Sequence, residues 1–243
     1  MPAASVTAGL ADVAARLRRE TGRLRFAAPV THIYSPLEYA WEPYRQYLER
    51  YARPGIDALL VGMNPGPHGM AQTGVPFGDV ASVRDWLRIE GPVGRPDPEH
   101  PRRPVHGFAG RRGEVSGARL WGWARARYGT PQRFFRRFFV WNYCPLCFLE
   151  ASGRNLTPDK LPAAAAAPLY AACDRALAEV VDFLQPRLVV GVGAFAEKRA
   201  VVALAGHEVR IGAILHPSPA SPAANRGWAA QAEAGLRALG VEL

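Results

Sequence analysis

The chain has 243 residues, 49% of them hydrophobic, and a formal net charge of +9 from 30 Lys and Arg against 21 Asp and Glu. That is enough for one sizeable core and requires no second. No stretch approaches the roughly 18 apolar residues that would span a bilayer, and three cysteines are an odd number and too few for a disulfide framework. Lys160 and Lys198 are the only lysines, so nearly all of the basic excess is arginine. Such an excess fits a polyanion partner, nucleic acid or anionic lipid, or else a chain simply rich in Ala and Arg.

Residues 1–25 read as an N-terminal helical extension, with Leu10, Val13, Ala14 and Leu17 at helical spacing. Asp12, Arg16, Arg18 and Arg19 stand where a secretion signal needs an apolar core. The expected location is therefore internal: cytoplasmic and nucleoid-associated in a bacterium, nuclear in a eukaryote. Residues 26–243 read as one folded domain. In residues 38–52, Trp41, Tyr44, Tyr47, Leu48 and Tyr51 mark one face of an aromatic-rich helix, a core face rather than a ligand cage. Four short apolar runs, Ala58 to Val61, Phe138 to Trp141, Leu188 to Val192 and Val209 to Leu215, lack the alternation of a half-solvated sheet and read as buried strands.

Helical segments fall between the runs. Asp79 is a candidate cap for a helix carrying Val80, Val83, Trp86 and Leu87. Thr157-Pro158 reads as an N-cap with proline at the first helical position, Gly193 leads into a helix closed by Gly206, and Ser221-Pro222 opens a last helix to about Leu239. The basic, Pro- and Gly-rich residues 91–117 read as a long surface loop. Strands alternating with helices predict an α/β fold, a three-layer α/β/α sandwich on a central four-stranded parallel sheet.

In such sheets ligands bind beyond the carboxyl ends of the strands. The first run ends in GMNPGPHGMAQTGVPFGD (62–79), with five glycines and three prolines in eighteen residues. The second ends in Asn142, and the fourth in His216 within LHPSPASPAANRGW. The topology therefore predicts that Asn64, Asn142 and His216 meet in one crevice. Each has a plainer reading as a turn residue, a cap or a structural histidine; three together at three strand ends favour a site. The first loop lacks the lysine of a phosphate-binding GxxxxGK[ST]. The GVG at 191–193 is a weak dinucleotide signal. Cys144 and Cys147 form one CxxC without a second pair, which favours packing over metal, and three thiols are too few for a four-iron cluster.

Four stretches, GMNPGPHGMAQTGVPFGDV, EVSGARLWGWAR, FFVWNYCPLCFLEASGRNLTPDKLP and LHPSPASPAANRGW, together resemble the single-strand-selective monofunctional uracil-DNA glycosylase family, over about Ile33 to Leu239. The resemblance makes 26–243 a glycosylase-like catalytic domain. It implies hydrolysis of the N-glycosidic bond of uracil and 5-substituted uracils such as 5-hydroxymethyluracil in single- and double-stranded DNA. It also implies a water nucleophile, no strand cleavage, no cofactor or metal, no membrane partner and a monomer. Deaminated purines as main substrates, or a non-catalytic DNA-binding relative, are the alternatives. A metal-dependent nuclease would want clustered carboxylates, and Asp79 is the nearest acid.

Under the resemblance Asn64 orients the water and His216 donates to uracil O2. Asn142 reads the Watson–Crick edge, Phe77 stacks on the ring, Met63 lines the pocket and Gly66 leaves room at the 5-position. Pro217, Ser218, Pro219, Ala220, Ser221, Asn225 and Arg226 belong to a wedge that enters the base stack. Ala220 and Ser221 replace a larger basic residue and an asparagine of the vertebrate pattern, which implies weaker action on duplex DNA, and His68 stands where an aromatic is expected. Arg102, Arg103, Arg111 and Arg112 are candidate phosphate contacts or simply solvated.

Overall fold

The computed structural model describes residues 3–243; residues 1 and 2 of the expected N-terminal extension lie outside the described residues. In chain order the main elements are α1 (Ala3–Gly22), β1 (Val30–Tyr34), α2 (Trp41–Tyr51), β2 (Ala58–Gly62), α3 (Val115–Tyr128), β3 (Phe138–Asn142), β4 (Cys147–Glu150) and β5 (Asn155–Leu156). They continue with α4 (Ala163–Leu184), β6 (Leu188–Val192), α5 (Ala194–Ala203), β7 (Arg210–Ile214) and α6 (Trp228–Ala238), and single helical turns lie between.

The four apolar runs form the expected parallel sheet, in the order β3-β2-β6-β7. Gly62 pairs beside Asn142, and Val61 beside Gly191. Every residue of β2, β3 and β6 is buried, as a sheet covered on both faces requires. Edge strand β7 alternates more. Helix α4 contacts both α1 and α5, whereas α6 contacts α3 and β7. The aromatic helix α2 protects the other edge: Tyr47 Oη donates to the Val140 carbonyl at 2.8 Å, satisfying an edge group of β3.

A second sheet was not anticipated. Strands β1, β4 and β5 are antiparallel, with Ile33 beside Phe148 and Phe148 beside Leu156. Residues after the CxxC therefore build a strand, and all three cysteines are buried and free.

Two helix starts also differ. Pro158–Lys160 is a single turn and Thr157 makes no capping bond. The long helix waits until Ala163 because Leu161 precedes Pro162, and a residue before proline avoids the helical region. Ser221 does cap a turn, Pro222–Asn225, but Gly227 at φ 105° breaks the chain before α6 begins. Within 62–79 one helical turn forms, Met70–Thr73, ended by Gly74 in the left-handed region. Up to Glu114 the 91–117 segment is irregular apart from one helical turn at Gly107–Ala109, yet it is anchored. Tyr34 Oη receives the His100 N–H and donates to the Arg103 carbonyl, both at 2.8 Å, and His100 and Val105 are buried.

Candidate active site

Beyond the carboxyl ends of β2, β3 and β7 lies a cavity of about 410 Å³, into which Met63, Asn64, Gly66, Phe77, Asn142 and His216 all project or border. The crevice expected from strand topology thus exists. Three glycines let it close. A Cβ on Gly62 would collide with Asn142 Oδ1 and the Phe77 ring. One on Gly191 would strike the backbone of Glu197, so this glycine serves strand–helix packing rather than a dinucleotide. At Gly193, φ is 98° and a Cβ would press His216 Cβ at 3.2 Å, so the chain after β7 folds across the end of β6.

Asn64 Nδ2 donates to the Leu146 carbonyl at 3.1 Å and to the Pro65 carbonyl at 3.3 Å. These bonds fix the amide, whose Oδ1 has no hydrogen-bond partner among the described residues, and Asn64 borders the cavity. Asn142 is buried, and the Met70 sulfur, 3.2 Å from its Nδ2, is its one side-chain partner among the described residues. A thioether is a weak acceptor, so this amide keeps a donor and an acceptor for a ligand. Gly66 has nothing within 4 Å of where a Cβ would stand, so it borders open space.

The Ser218 N–H donates to His216 Nδ1 at 3.0 Å. Desolvation pulls the imidazole down to about 4, so at neutral pH the ring is uncharged. With Nδ1 accepting, the proton sits on Nε2 and the ring is a neutral donor. The Phe77 ring lies 6.2 Å from the His216 ring, tilted by 41°.

Phe77 is held in the left-handed region at φ 53°, uncommon for a bulky residue. Trp121 Nε1 donates to its carbonyl at 2.9 Å, and Gly117 lies so close beneath that a Cβ would collide with that carbonyl. Asp79 is committed to structure. Its Oδ2 receives the Ser82 N–H and hydroxyl at 3.2 and 2.9 Å, and its Oδ1 the Glu114 N–H at 2.9 Å. That leaves it poorly placed to act as a general base.

Several cavity residues escaped sequence reading. Glu114 caps α3 by receiving the Ser116 and Gly117 N–H groups, and burial raises its carboxyl above the usual range. The quoted EVSG carried that signal, an acid just before a helix. Asn155 and Thr157 arrive through the unanticipated second sheet, and Met70 through the turn inside the first loop. On the 216–228 loop Pro217 is buried, Pro219, Ala220, Asn225 and Arg226 are exposed, and Ser218 and Ser221 are half-buried. Arg119 of α3 braces this loop, donating to the Pro217 carbonyl at 3.0 Å and to Asn225 Oδ1 at 2.8 Å. Its partners lie about a hundred residues away in sequence, so no local pattern marks it. His68 lines the cavity, drawn down to about 4 by burial and by the neighbouring Arg112 and Arg103.

A profile of the uracil DNA glycosylase superfamily matches residues 49–234. The single-strand selective monofunctional uracil DNA glycosylase of Mus musculus is 53% identical over 239 residues, 98% of this chain and 86% of that protein. The corresponding protein of Rattus norvegicus is 53% identical over 241 residues, with coverage of 98% and 87%. Among solved structures, wild-type SMUG2 of Pedobacter heparinus superposes with a TM-score of 0.65 at 19% identity, covering 94% of this chain and 98% of that one, a likeness of fold.

Proposed function

The chain belongs to the uracil DNA glycosylase superfamily and, within it, to the single-strand selective monofunctional uracil DNA glycosylases; on that premise we propose that it is a DNA repair enzyme that hydrolyses the bond between deoxyribose C1′ and uracil N1. The observation that carries the assignment to this cavity is the convergence of a free amide acceptor, a free amide donor–acceptor pair and a neutral imidazole donor on one space beside an aromatic ring.

A stacked base is out of reach, so the nucleotide is extruded into the cavity. Phe77 offers its face to the pyrimidine, a contact worth roughly 1–3 kcal/mol. Asn142 donates from Nδ2 to uracil O4 and accepts the N3–H at Oδ1. Cytosine presents the reverse pattern, and such a pair discriminates by roughly 1–3 kcal/mol. As the C1′–N1 bond breaks, its electron pair passes to the uracil ring and C1′ becomes oxocarbenium-like. His216 Nε2–H donates to uracil O2, where negative charge collects. A neutral donor suits this task because it is in place without the desolvation cost of a buried imidazolium; one preorganised donor contributes about 2.7–4 kcal/mol.

Water held by Asn64 Oδ1 adds to C1′. Its surplus proton goes to solvent, and the departing uracil anion takes one back, leaving an abasic site and uracil. An amide is a poor base, but an oxocarbenium centre demands little activation of its nucleophile. The open space at Gly66 supports acceptance of 5-substituted uracils such as 5-hydroxymethyluracil. The exposed wedge residues Pro219 and Ala220 fit a role in filling the gap that the flipped base leaves.

The test is a release assay on labelled single- and double-stranded oligonucleotides bearing uracil, 5-hydroxymethyluracil, hypoxanthine or xanthine, run in EDTA. Uracil and 5-hydroxymethyluracil are expected to yield abasic sites without strand cleavage. Absence of abasic product from every substrate would refute the proposal.

A further inference from the structure

His68 borders two cavities. One is the catalytic space; the other, of about 440 Å³, lies on its far side and takes no part in the chemistry above. Arg102, Arg103, Arg111 and Arg112 stand around it, Pro104, Ala109 and Gly110 contribute its apolar surface, and no carboxylate lines it. Arg102, Arg111 and Arg112 are exposed, and the charge reaches the junction, where Arg112 and Arg103 help depress the His68 imidazole.

The groove is built rather than incidental. Gln72 sits beneath it with its amide fully used: Nε2 donates to the Pro67 and Pro104 carbonyls and Oε1 receives the His106 N–H, at 2.8, 3.2 and 2.8 Å. Glu99 Oε1 receives the Val105 N–H at 2.7 Å, and Arg103 Nε donates to the Gly153 carbonyl at 2.6 Å. These bonds tie residues 99–106 to the base-pocket loop and to the antiparallel sheet, so the floor of the groove and its Arg103 wall are set before any ligand arrives, while the Arg111 and Arg112 side chains reach into solvent beside it.

We infer that this groove is a second nucleotide subsite, which takes the residue adjoining the extruded one in single-stranded DNA. Its phosphodiester lies on the Arg111 and Arg112 guanidiniums, and its sugar and base lie on the Pro104–Ala109–Gly110 surface. The size matches a single occupant, since the space is close to that of the cavity read as taking one extruded nucleotide. The combination of cationic wall and apolar surface is what single-strand binders use. A neighbour that is still paired stays in the duplex and cannot turn into the groove, so the subsite favours single strands. The inference rests on the glycosylase reading of the adjoining cavity.

The experiment measures uracil release from single-stranded oligonucleotides in which the nucleotide on either side of deoxyuridine is in turn normal or a baseless spacer, and from the matching duplexes. Wild type and the R111Q/R112Q protein are compared. For wild type, a spacer on one side is expected to raise KM on single strands by about tenfold with kcat nearly constant. In R111Q/R112Q the KM on single strands rises, the salt dependence becomes shallower by roughly 0.7 per lost phosphate contact, and the spacer adds little more. The ratio of single- to double-strand KM therefore shifts. Indifference of wild type to a spacer on both sides overturns the subsite, as does an equal loss by the variant on duplex and single strand, which means general phosphate attraction. If wild type releases no uracil from any substrate, the glycosylase reading itself fails; uracil release without a spacer effect removes only the subsite.

Discussion

Two loops face each other across the cavity, and they are made differently. In 62–79 the residues from Gly69 to Asp79 are all buried, and Gln72, Thr73 and Asp79 spend their polar atoms on backbone groups. In 216–228, Pro219, Ala220, Asn225 and Arg226 lie in solvent, and the loop is held by a few bonds from Ser218, Ser221 and Arg119. The first loop positions groups that must be right before the substrate arrives, because catalysis by fixed dipoles gains from the absence of reorganisation. The second, which on the proposed reading meets a DNA surface of variable form, can be exposed without disturbing the core. Damage to the first, or to His216 where the second begins, should reduce chemistry or folding on every substrate, whereas damage to the exposed part of the second, from Pro219 onward, should fall on duplex DNA.

The largest effect is expected at the junction of the two loops. His216→Ala removes the neutral donor and should lower kcat about 10²–10³-fold on single and double strands alike, read from single-turnover rates. Asn64→Ala should also lower kcat, while Asp79→Asn should act mainly on stability; the opposite order would reassign the base. Next, Gly66→Phe fills the open space and should reduce release of 5-hydroxymethyluracil relative to uracil by tenfold or more, measured as a ratio of kcat/KM.

Gly117→Ala forces a methyl onto the Phe77 carbonyl and should destabilise the protein by roughly 1–3 kcal/mol in urea unfolding. The smallest change is predicted for the brace of the second loop: Arg119→Ala should lower duplex activity a few-fold and leave single-strand kcat close to wild type.

Acid, by contrast, acts on both loops alike. His68 and His216 both have folded values near 4 against an ordinary 6.5. Between those values the unfolded chain binds more protons, so stability is full above about pH 6.5 and declines as pH falls towards 4. The catalytic ring itself stays neutral over the same range. The kcat profile should therefore show no acid limb near 6.5, and Tm should fall before kcat does. An acid limb centred at 6.5 would contradict the desolvated, neutral histidine.

Three of the four parallel strands were legible as unbroken apolar runs, which a sheet covered on both faces requires, and edge strand β7 as a largely apolar run interrupted by Arg210; their bounds came within a residue or so of the structure. The antiparallel sheet was not, because its strands are not apolar runs: Thr31 and His32 interrupt β1, β4 ends in Glu150, and β5 has only two residues. Helix starts failed where a cap signal stood beside a second breaker, Thr157 ahead of Pro162 and Ser221 ahead of Gly227. Asn64, Asn142 and His216 were legible as polar residues at carboxyl ends of strands, a consequence of topology. Glu114, Arg119 and Asn155 were not, because long-range packing alone brings them to the cavity or its loops.

Composition and order along the chain thus determined the sheet, the end of it that carries the site, and which side chains are available there. Tertiary structure decided their states. The free face of the Asn64 amide depends on the Leu146 carbonyl, the room at Gly66 on what does not approach it, and the charge and tautomer of His216 on its desolvation and on Ser218. These are properties of surroundings assembled from distant segments, and a side chain's proton or hydrogen bond is set by its neighbours in space.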